Sequence, residues 1–365
     1  MKSFGPKIMN SSRNSAIELL RIIAMFLIVL SHACCHSSFD IASSSISFNK
    51  LLVQWGFLGN IGVNIFVLIS GYYLCTKSKT GKSLIQLILQ VWFYSVVLFV
   101  ICKFVFQYRY SFMDYFKVFL PTIFGEYWFF SAYFILSLLS PYLNCFLNRA
   151  DRNTIKYLIC IMVVLWIVIP TFTFQSMYGN DLTRMVLFYV IGAYFKLYPD
   201  SLSLKKSVPI CLTAFSFFLL FASTLALDYV GQYVDILKNR GTLFYGKSSL
   251  LTAACAIGLF VCFIQLPCFT NRIINTISSC TFGIYLIHDN PAIREIVWIR
   301  ILRLADDFGS KYLFAHMITA VLIVFVVSGL IEFVRICTLG RFFGMLSVHI
   351  EKMIRFPDRN RPAST

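Results

Sequence analysis

Charged residues are scarce in this 365-residue chain: they make up 13% of it, about half of the roughly 25% typical of a soluble domain. Hydrophobic residues make up 58%, and apolar runs long enough to cross a bilayer recur from one end of the sequence to the other. No hydrophilic stretch is long enough for a soluble domain of useful size. The composition therefore excludes a soluble globular protein and predicts an all-α, polytopic integral membrane protein.

Metal-binding cysteine pairs are also missing. The 12 cysteines include no CxxC pair, and most lie within apolar runs, where cysteine packs as a small hydrophobic residue. Cys34 and Cys35 are adjacent in sequence, so they cannot form an ordinary zinc clip. We expect no disulfide framework, no structural metal and no metal cofactor.

An internal repeat is absent as well, which weakens the interpretation as an inverted-repeat transporter. The first apolar segment has no small-residue cleavage site, and Glu18 and Arg21 interrupt the apolar core that a signal peptide needs. We therefore expect a retained helix. The formal net charge of +16 is explained by the excess of Lys and Arg in cytoplasmic loops of membrane proteins, so no nucleic-acid partner is expected.

Hydropathy and the polar breaks between apolar runs predict about ten transmembrane helices. A short amphipathic or re-entrant helix is expected within residues 107–126, before the fourth span. The distribution of Lys and Arg moderately favours cytoplasmic termini, which gives a cytoplasmic tail at 1–14, a membrane domain at 15–336 and a basic cytoplasmic tail at 337–365. The predicted spans are 17–35, 51–74, 83–106, 119–142, 154–172, 182–198, 208–227, 244–266, 273–290 and 313–336.

Arg21 and His32 are the most informative residues of the first span. Eleven positions at about 100° each bring both side chains to one helix face, roughly 16 Å apart along the axis. An arginine inside a membrane helix costs roughly 2.5–3.5 kcal/mol on insertion scales, which favours a function or a partner for it. Glu18 lies three residues earlier, where it can hold the guanidinium. His36 follows His32 by four residues, a spacing that can bind a metal, but the sequence offers no third ligand.

The second span contains a Ser-Gly pair and is followed by lysines. Ser70 and Gly71 either only let helices approach closely or shape a pocket wall near a reaction centre. Lys77, Lys79 and Lys82 follow at the predicted cytoplasmic face. They fit two interpretations equally: binding the phosphates of a carrier molecule, or ordinary positive-inside bias.

Two later segments hold further candidates for substrate contact. Glu126 and Trp128 lie in an aromatic belt, GEYWFFSAY. Aromatic residues mark the membrane interface by default, but ring faces beside an acid also suit a sugar. Tyr285 and a second intramembrane histidine, His288, lie near the end of the ninth span, where the alternative is a helix-end histidine with a structural hydrogen bond.

Four of these segments, taken in order, carry a resemblance to a known family. Arg21-x₁₀-His32, FVLISG at 66–71, the Trp128 segment and GIYLIH at 283–288 resemble the membrane acyltransferase-3 family, including bacterial O-acetyltransferases of surface polysaccharides. The resemblance implies a bacterial cytoplasmic membrane protein with acetyl-CoA as donor and a saccharide or lipid-linked saccharide as acceptor. Lys77, Lys79 and Lys82 would then hold the donor. Arg21 and His32 match the functional pair, and Glu18 lies where the family commonly has Asp.

These residues predict a transfer reaction. His32 would act as general base on a sugar hydroxyl, Arg21 would stabilise the developing oxyanion or the donor, and Glu18 would orient Arg21. An acyl-His32 intermediate is an open variant. The alternatives are a transporter or flippase for a lipid-linked saccharide and a polysaccharide polymerase, which typically carries a long outer loop that this chain lacks.

Overall fold

The computed structural model describes residues 13–77, 79–175 and 179–354, and every regular element among them is helical. Twelve helices position the site. They are α1 (Ser15–His36), α2 (Phe48–Trp55), α3 (Gly59–Leu74), α4 (Gly81–Phe104), α5 (Phe112–Phe119), α6 (Trp128–Arg149), α7 (Arg152–Thr173), α8 (Asp181–Leu197), α9 (Ser207–Val230), α10 (Leu250–Ile264), α11 (Arg272–His288) and α12 (Leu313–Ile354).

The all-α, multi-span architecture confirms the predicted fold class. Within the described residues, seven segments are long and apolar enough to cross a membrane: α1, the α2–α3 pair, α4, α6, α7, α9 and α12. Helix α10 is shorter but apolar. Helices α8 and α11 have 17 residues each, about the minimum for a span. Each of the ten predicted spans therefore overlaps one helix or one broken pair.

The predicted limits are wrong at the fourth span. The prediction placed it at 119–142, but α6 is Trp128–Arg149. The preceding residues form the separate short helix α5, which a Ser111–Asp114 capping box begins and Leu120 ends. Gly125 then adopts a positive φ of 69°, a conformation that glycine adopts without steric cost. The short helix expected within 107–126 is present.

The last helix continues well beyond the predicted end of the tenth span at 336. Helix α12 runs without a break to Ile354, so much of the expected tail at 337–365 is helical. Its Glu351 accepts a hydrogen bond from the backbone N–H of Lys82, which fixes the end of α12 beside the start of α4. The expected tail residues 1–12 and 355–365 lie outside the described residues.

Small residues let α3 pack closely between α1 and α8. A Cβ at Gly62 would overlap the Ala24 carbonyl of α1, and a Cβ at Gly71 would overlap the Tyr189 carbonyl of α8. Gly192 of α8 approaches Leu68 of α3 in the same way. For Gly71, this packing is one of the two interpretations that the sequence left open.

Polar contacts align α1 with α11 from one end to the other. The Ser15 hydroxyl donates to Asn275 at 2.8 Å and accepts from the Asn271 backbone N–H at 2.7 Å. Further along, Ser278 donates to Glu18 at 2.5 Å. The two helices therefore run parallel, and their ends bring His32 and His288 together.

A buried acid that the sequence analysis did not single out joins α4, α11 and α12. Glu332 accepts hydrogen bonds from Tyr94 at 2.6 Å and Gln90 at 3.0 Å, and it pairs with Arg335 at 2.6 Å. A Cβ at Gly283 would overlap the Glu332 side chain. Glu332 is 1% exposed, so its partners offset the cost of burying a charge.

Candidate active site

A cavity of about 450 Å³ lies between α1, α3, α6 and α11. One end, called here the Arg21 end, contains Arg21 and Lys79. The other, called the Trp128 end, contains His36, which is the last residue of α1, and Trp128, which lies beside Asn60 at the start of α3. His32 lies one turn from His36 and therefore nearer to this end. Six of the twelve residues predicted to act in catalysis or binding line this cavity: Arg21, His32, Ser70, Lys79, Trp128 and Tyr285.

Two histidines from different helices form a hydrogen-bonded chain at the cavity wall. His32 Nδ1 lies 2.9 Å from His288 Nε2, and His288 Nδ1 lies 2.6 Å from the Ile284 carbonyl oxygen. A carbonyl only accepts, so His288 carries its proton on Nδ1 and its Nε2 accepts from His32. When both rings are neutral, the free lone pair of His32 is therefore on Nε2.

An ion pair between Asp289 and Arg294 lies beside the two histidines, just after the end of α11. The Asp289 carboxylate is 3.5 Å from His32 Nδ1, and Arg294 lies 3.7 Å from the same carboxylate oxygen. Asp289 is buried, at 3% exposure. Neither residue was predicted from the sequence, although the polar run His288-Asp289-Asn290 at the end of α11 was a usable signal.

Arg21 is held by Glu18 and retains free donor capacity. The guanidinium lies 3.7 Å from Glu18, whose carboxylate is in turn fixed by Ser278. The buried Nε of Arg21 has no hydrogen-bond partner among the described residues. The side chain is about one-third exposed, and it lines the cavity. It can therefore bind an oxygen of a ligand.

Ser70 and Gly71 lie in different surroundings. The Ser70 hydroxyl donates to the Phe66 carbonyl at 2.9 Å and lies 3.0 Å from the Tyr133 hydroxyl, so it belongs to the cavity wall. Gly71 packs against Tyr189 of α8 and does not line the cavity. Its position is explained by helix packing.

The three lysines of the predicted donor site also differ in position: one lines the cavity and two do not. Lys79 lines the cavity, and its ammonium group lies 4.3 Å from the centre of the Tyr133 ring. Lys77 and Lys82 are exposed and do not line it. Of the three, only Lys79 is placed to contact a ligand inside the cavity.

Trp128 and Glu126 face different cavities. Trp128 lines the main cavity, and the ammonium group of Lys247 lies 3.6 Å from the centre of its ring. Glu126 lines a separate cleft of about 80 Å³ and pairs with Lys117 at 3.3 Å. Lys247 was detectable as a lone cation inside the predicted span 244–266.

Two further groups complete the wall. The Tyr285 hydroxyl is buried and has no hydrogen-bond partner within the described part of the chain, and Tyr285 lines the cavity. His288 is buried behind His32 and contacts it directly. Tyr285 can therefore donate to a ligand, whereas His288 acts on a ligand through His32.

The Trp128 end also contains donor atoms suited to a metal. His32, His36 and Asp289 each offer a ligand atom, and these atoms lie within 4.8 Å of one another. The sequence offered no third ligand for the two histidines. Asp289 occupies that position because α11 runs parallel to α1 and ends beside it.

Comparison with known protein families gives a match over most of the chain. A family model described as an acyltransferase domain matches residues 14–334. No curated protein and no solved structure matches the chain. The matched residues include every residue that lines the cavity.

Proposed function

The chain belongs to the acyltransferase-3 family and is a membrane-embedded acyltransferase, and from that premise we propose its substrates. It transfers an acyl group, acetyl by default, from acetyl-CoA to a sugar hydroxyl. The acceptor is a surface polysaccharide of a bacterium or the lipid-linked precursor of one. The enzyme lies in the cytoplasmic membrane with both termini in the cytoplasm.

The observation that carries this proposal is the histidine chain beside the cavity. The Ile284 carbonyl orients His288, and His288 orients His32, which leaves one imidazole lone pair free at a cavity that Arg21 also lines. A neutral imidazole near pH 7 is a suitable general base for a hydroxyl.

The chemical step follows from these positions. His32 Nε2 takes the proton of the acceptor hydroxyl while the hydroxyl oxygen forms a bond to the thioester carbonyl carbon. The carbonyl oxygen becomes an oxyanion that the Tyr285 hydroxyl can stabilise, while Arg21 holds the acetyl-CoA molecule from the Arg21 end. The C–S bond then breaks, the ester remains on the sugar, and the coenzyme thiolate takes the proton from His32.

The charges of the cavity support one end as the entrance for acetyl-CoA, the proposed acyl donor. Arg21 and Lys79 provide two cations at the Arg21 end, which suits the phosphates and thioester of acetyl-CoA. The proposed cytoplasmic position of this end follows from the Lys and Arg bias of the loops. The acceptor then enters from the Trp128 end, where the Trp128 ring, with Lys247 beside it, suits a sugar.

Mass spectrometry of surface glycans tests the proposal. We expect O-acetyl groups on the modified glycan from wild-type cells. We expect none on the same glycan from cells that lack the gene or carry His32→Gln. Wild type and variant should have equal protein levels in the membrane. Acetylation that persists in the deletion strain would contradict the proposed activity.

Purified protein separates transfer from transport. An acyltransferase releases free CoA when acetyl-CoA and glycolipid from the deletion strain are supplied, whereas a flippase does not. Radiolabelled acetyl-CoA supplied without acceptor separates direct transfer, which leaves the protein unlabelled, from the acyl-His32 variant.

A further inference from the structure

His36 has no role in the proposed reaction, yet it lines the same cavity wall as His32. The two histidines lie one turn apart on α1, with ring centroids 5.1 Å apart. Asp289 approaches from the end of α11, with its carboxylate 3.5 Å from His32. One ligand atom from each of these three residues lies within 4.8 Å of the others.

The chemistry of this donor set selects a class of ion. Two imidazoles and one carboxylate suit Zn²⁺ and related transition metals, whereas Ca²⁺ and Mg²⁺ prefer sites made of oxygen ligands. At metal–ligand bonds of about 2.0–2.2 Å, the ligand atoms of a tetrahedral site lie about 3.3–3.6 Å apart, so the most separated pair must close by up to about 1.5 Å. Rotation of the side chains toward the cavity can supply that movement, since two of the three are only partly buried.

One neighbouring cation competes with the metal. Arg294 lies 3.7 Å from Asp289, and its side chain is 31% exposed. Arg294 also lines the cavity, so it can turn away from Asp289 while keeping its charge solvated. Metal binding therefore exchanges one cationic partner of Asp289 for another.

We propose that His32, His36 and Asp289 form an inhibitory site for Zn²⁺ or a related divalent transition metal. A neutral imidazole has a single lone pair that can bind either a proton or a metal. Whichever nitrogen of His32 binds the metal, that lone pair is used, and the ring no longer acts as a general base. The proposed metal site follows from the positions of the three ligand atoms. Its inhibitory effect rests on the proposed role of His32.

Cobalt spectroscopy tests the site without any measurement of activity. Co²⁺ bound in a low-coordinate site of nitrogen and oxygen ligands absorbs visible light far more strongly than hydrated Co²⁺. We expect purified full-length protein in nanodiscs to develop these bands on titration with Co²⁺ and to lose them when Zn²⁺ is added. His36→Asn should abolish the bands.

His316→Asn is the matched control. His316 pairs with Asp307 at 2.7 Å, and the described residues provide no third ligand around this pair. The bands should therefore remain in His316→Asn. Their absence from wild-type protein, or their persistence in His36→Asn, would overturn the proposed site.

Zinc inhibition tests the consequence. Zn²⁺ should block acetyl transfer by wild-type protein, and His36→Asn should raise the inhibitory concentration at least tenfold without changing the rate in chelator-treated buffer. Cobalt bands together with transfer that Zn²⁺ leaves unchanged would overturn the inhibitory role. Cobalt bands in a protein that transfers no acetyl group would confirm the metal site and refute the proposed function.

Discussion

His288 Nε2 lies 2.9 Å from His32 Nδ1 although 256 positions separate the two residues in sequence. The Ile284 carbonyl fixes the other nitrogen of His288, so this contact determines which nitrogen of His32 is free. The arrangement depends on the parallel packing of α1 against α11. A substitution at His288 should therefore act on the reaction through His32.

His288→Ala should lower kcat by about 10²-fold or more, within the range for the loss of efficient general-base catalysis, while the KM for acetyl-CoA changes little. Without His288, the His32 ring loses its preferred tautomer and its orientation. His288→Gln keeps a carbonyl oxygen that can accept from His32 Nδ1–H, so it should retain more activity than alanine. Steady-state kinetics on the purified variants checks this order, and equal losses in both variants would indicate a structural role.

Arg21→Lys should lose most of the activity. Lysine keeps the positive charge but lacks the planar guanidinium, which can hold Glu18 and a ligand oxygen at the same time. The measurement is kcat/KM for acetyl-CoA, with membrane abundance as control. A lysine variant as active as wild type would show that Arg21 contributes only a charge.

Lys79→Gln should raise the KM for acetyl-CoA and change kcat less, because Lys79 lines the cavity near Tyr133. The effect should shrink at high ionic strength, since salt screens a charge that solvent reaches. Lys77→Gln in the same loop and Lys82→Gln in the first turn of α4 are matched controls, and both side chains lie outside the cavity. Equal effects of all three substitutions would contradict a specific contact with Lys79.

Gly71→Ala should reduce stability rather than chemistry. The added Cβ would overlap the Tyr189 carbonyl, and overpacking of this kind costs about 1–3 kcal/mol. Gly340→Ala is the control, since no atom of the described residues lies within 4 Å of a Cβ there. Thermal unfolding followed by tryptophan fluorescence should show a lower Tm only for Gly71→Ala. An unchanged Tm with lost activity would instead place Gly71 in the site.

The parts of the site that were predictable from sequence depend on local geometry. Helical periodicity alone places Arg21 and His32 on one face, and the structure puts both at the same cavity. Glu18 could be assigned to Arg21 because the two residues lie three positions apart on a helix, and they do form a pair.

The parts that were not predictable depend on contacts between distant segments. Lys79 differs from Lys77 and Lys82 only through the path of the loop after α3, which local sequence does not determine. Asp289 reaches His32 because α11 packs parallel to α1, a register that one sequence does not reveal. His32 and His36 could therefore be recognised from sequence as potential metal ligands, whereas Asp289 could not.

Trp128→Ala should raise the KM for the glycolipid acceptor about tenfold, which corresponds to about 1.4 kcal/mol, and leave the KM for acetyl-CoA unchanged. The ring lines the Trp128 end of the cavity and contacts Lys247, so its loss should remove part of the proposed acceptor surface. Glu126→Gln is the matched control two residues earlier. Its carboxylate pairs with Lys117 in the separate cleft, so activity should stay within about twofold of wild type, as expected for loss of a partly exposed ion pair. The reverse pattern, a raised KM for acetyl-CoA in Trp128→Ala, would show that the donor occupies the Trp128 end and that the proposed direction of transfer is inverted.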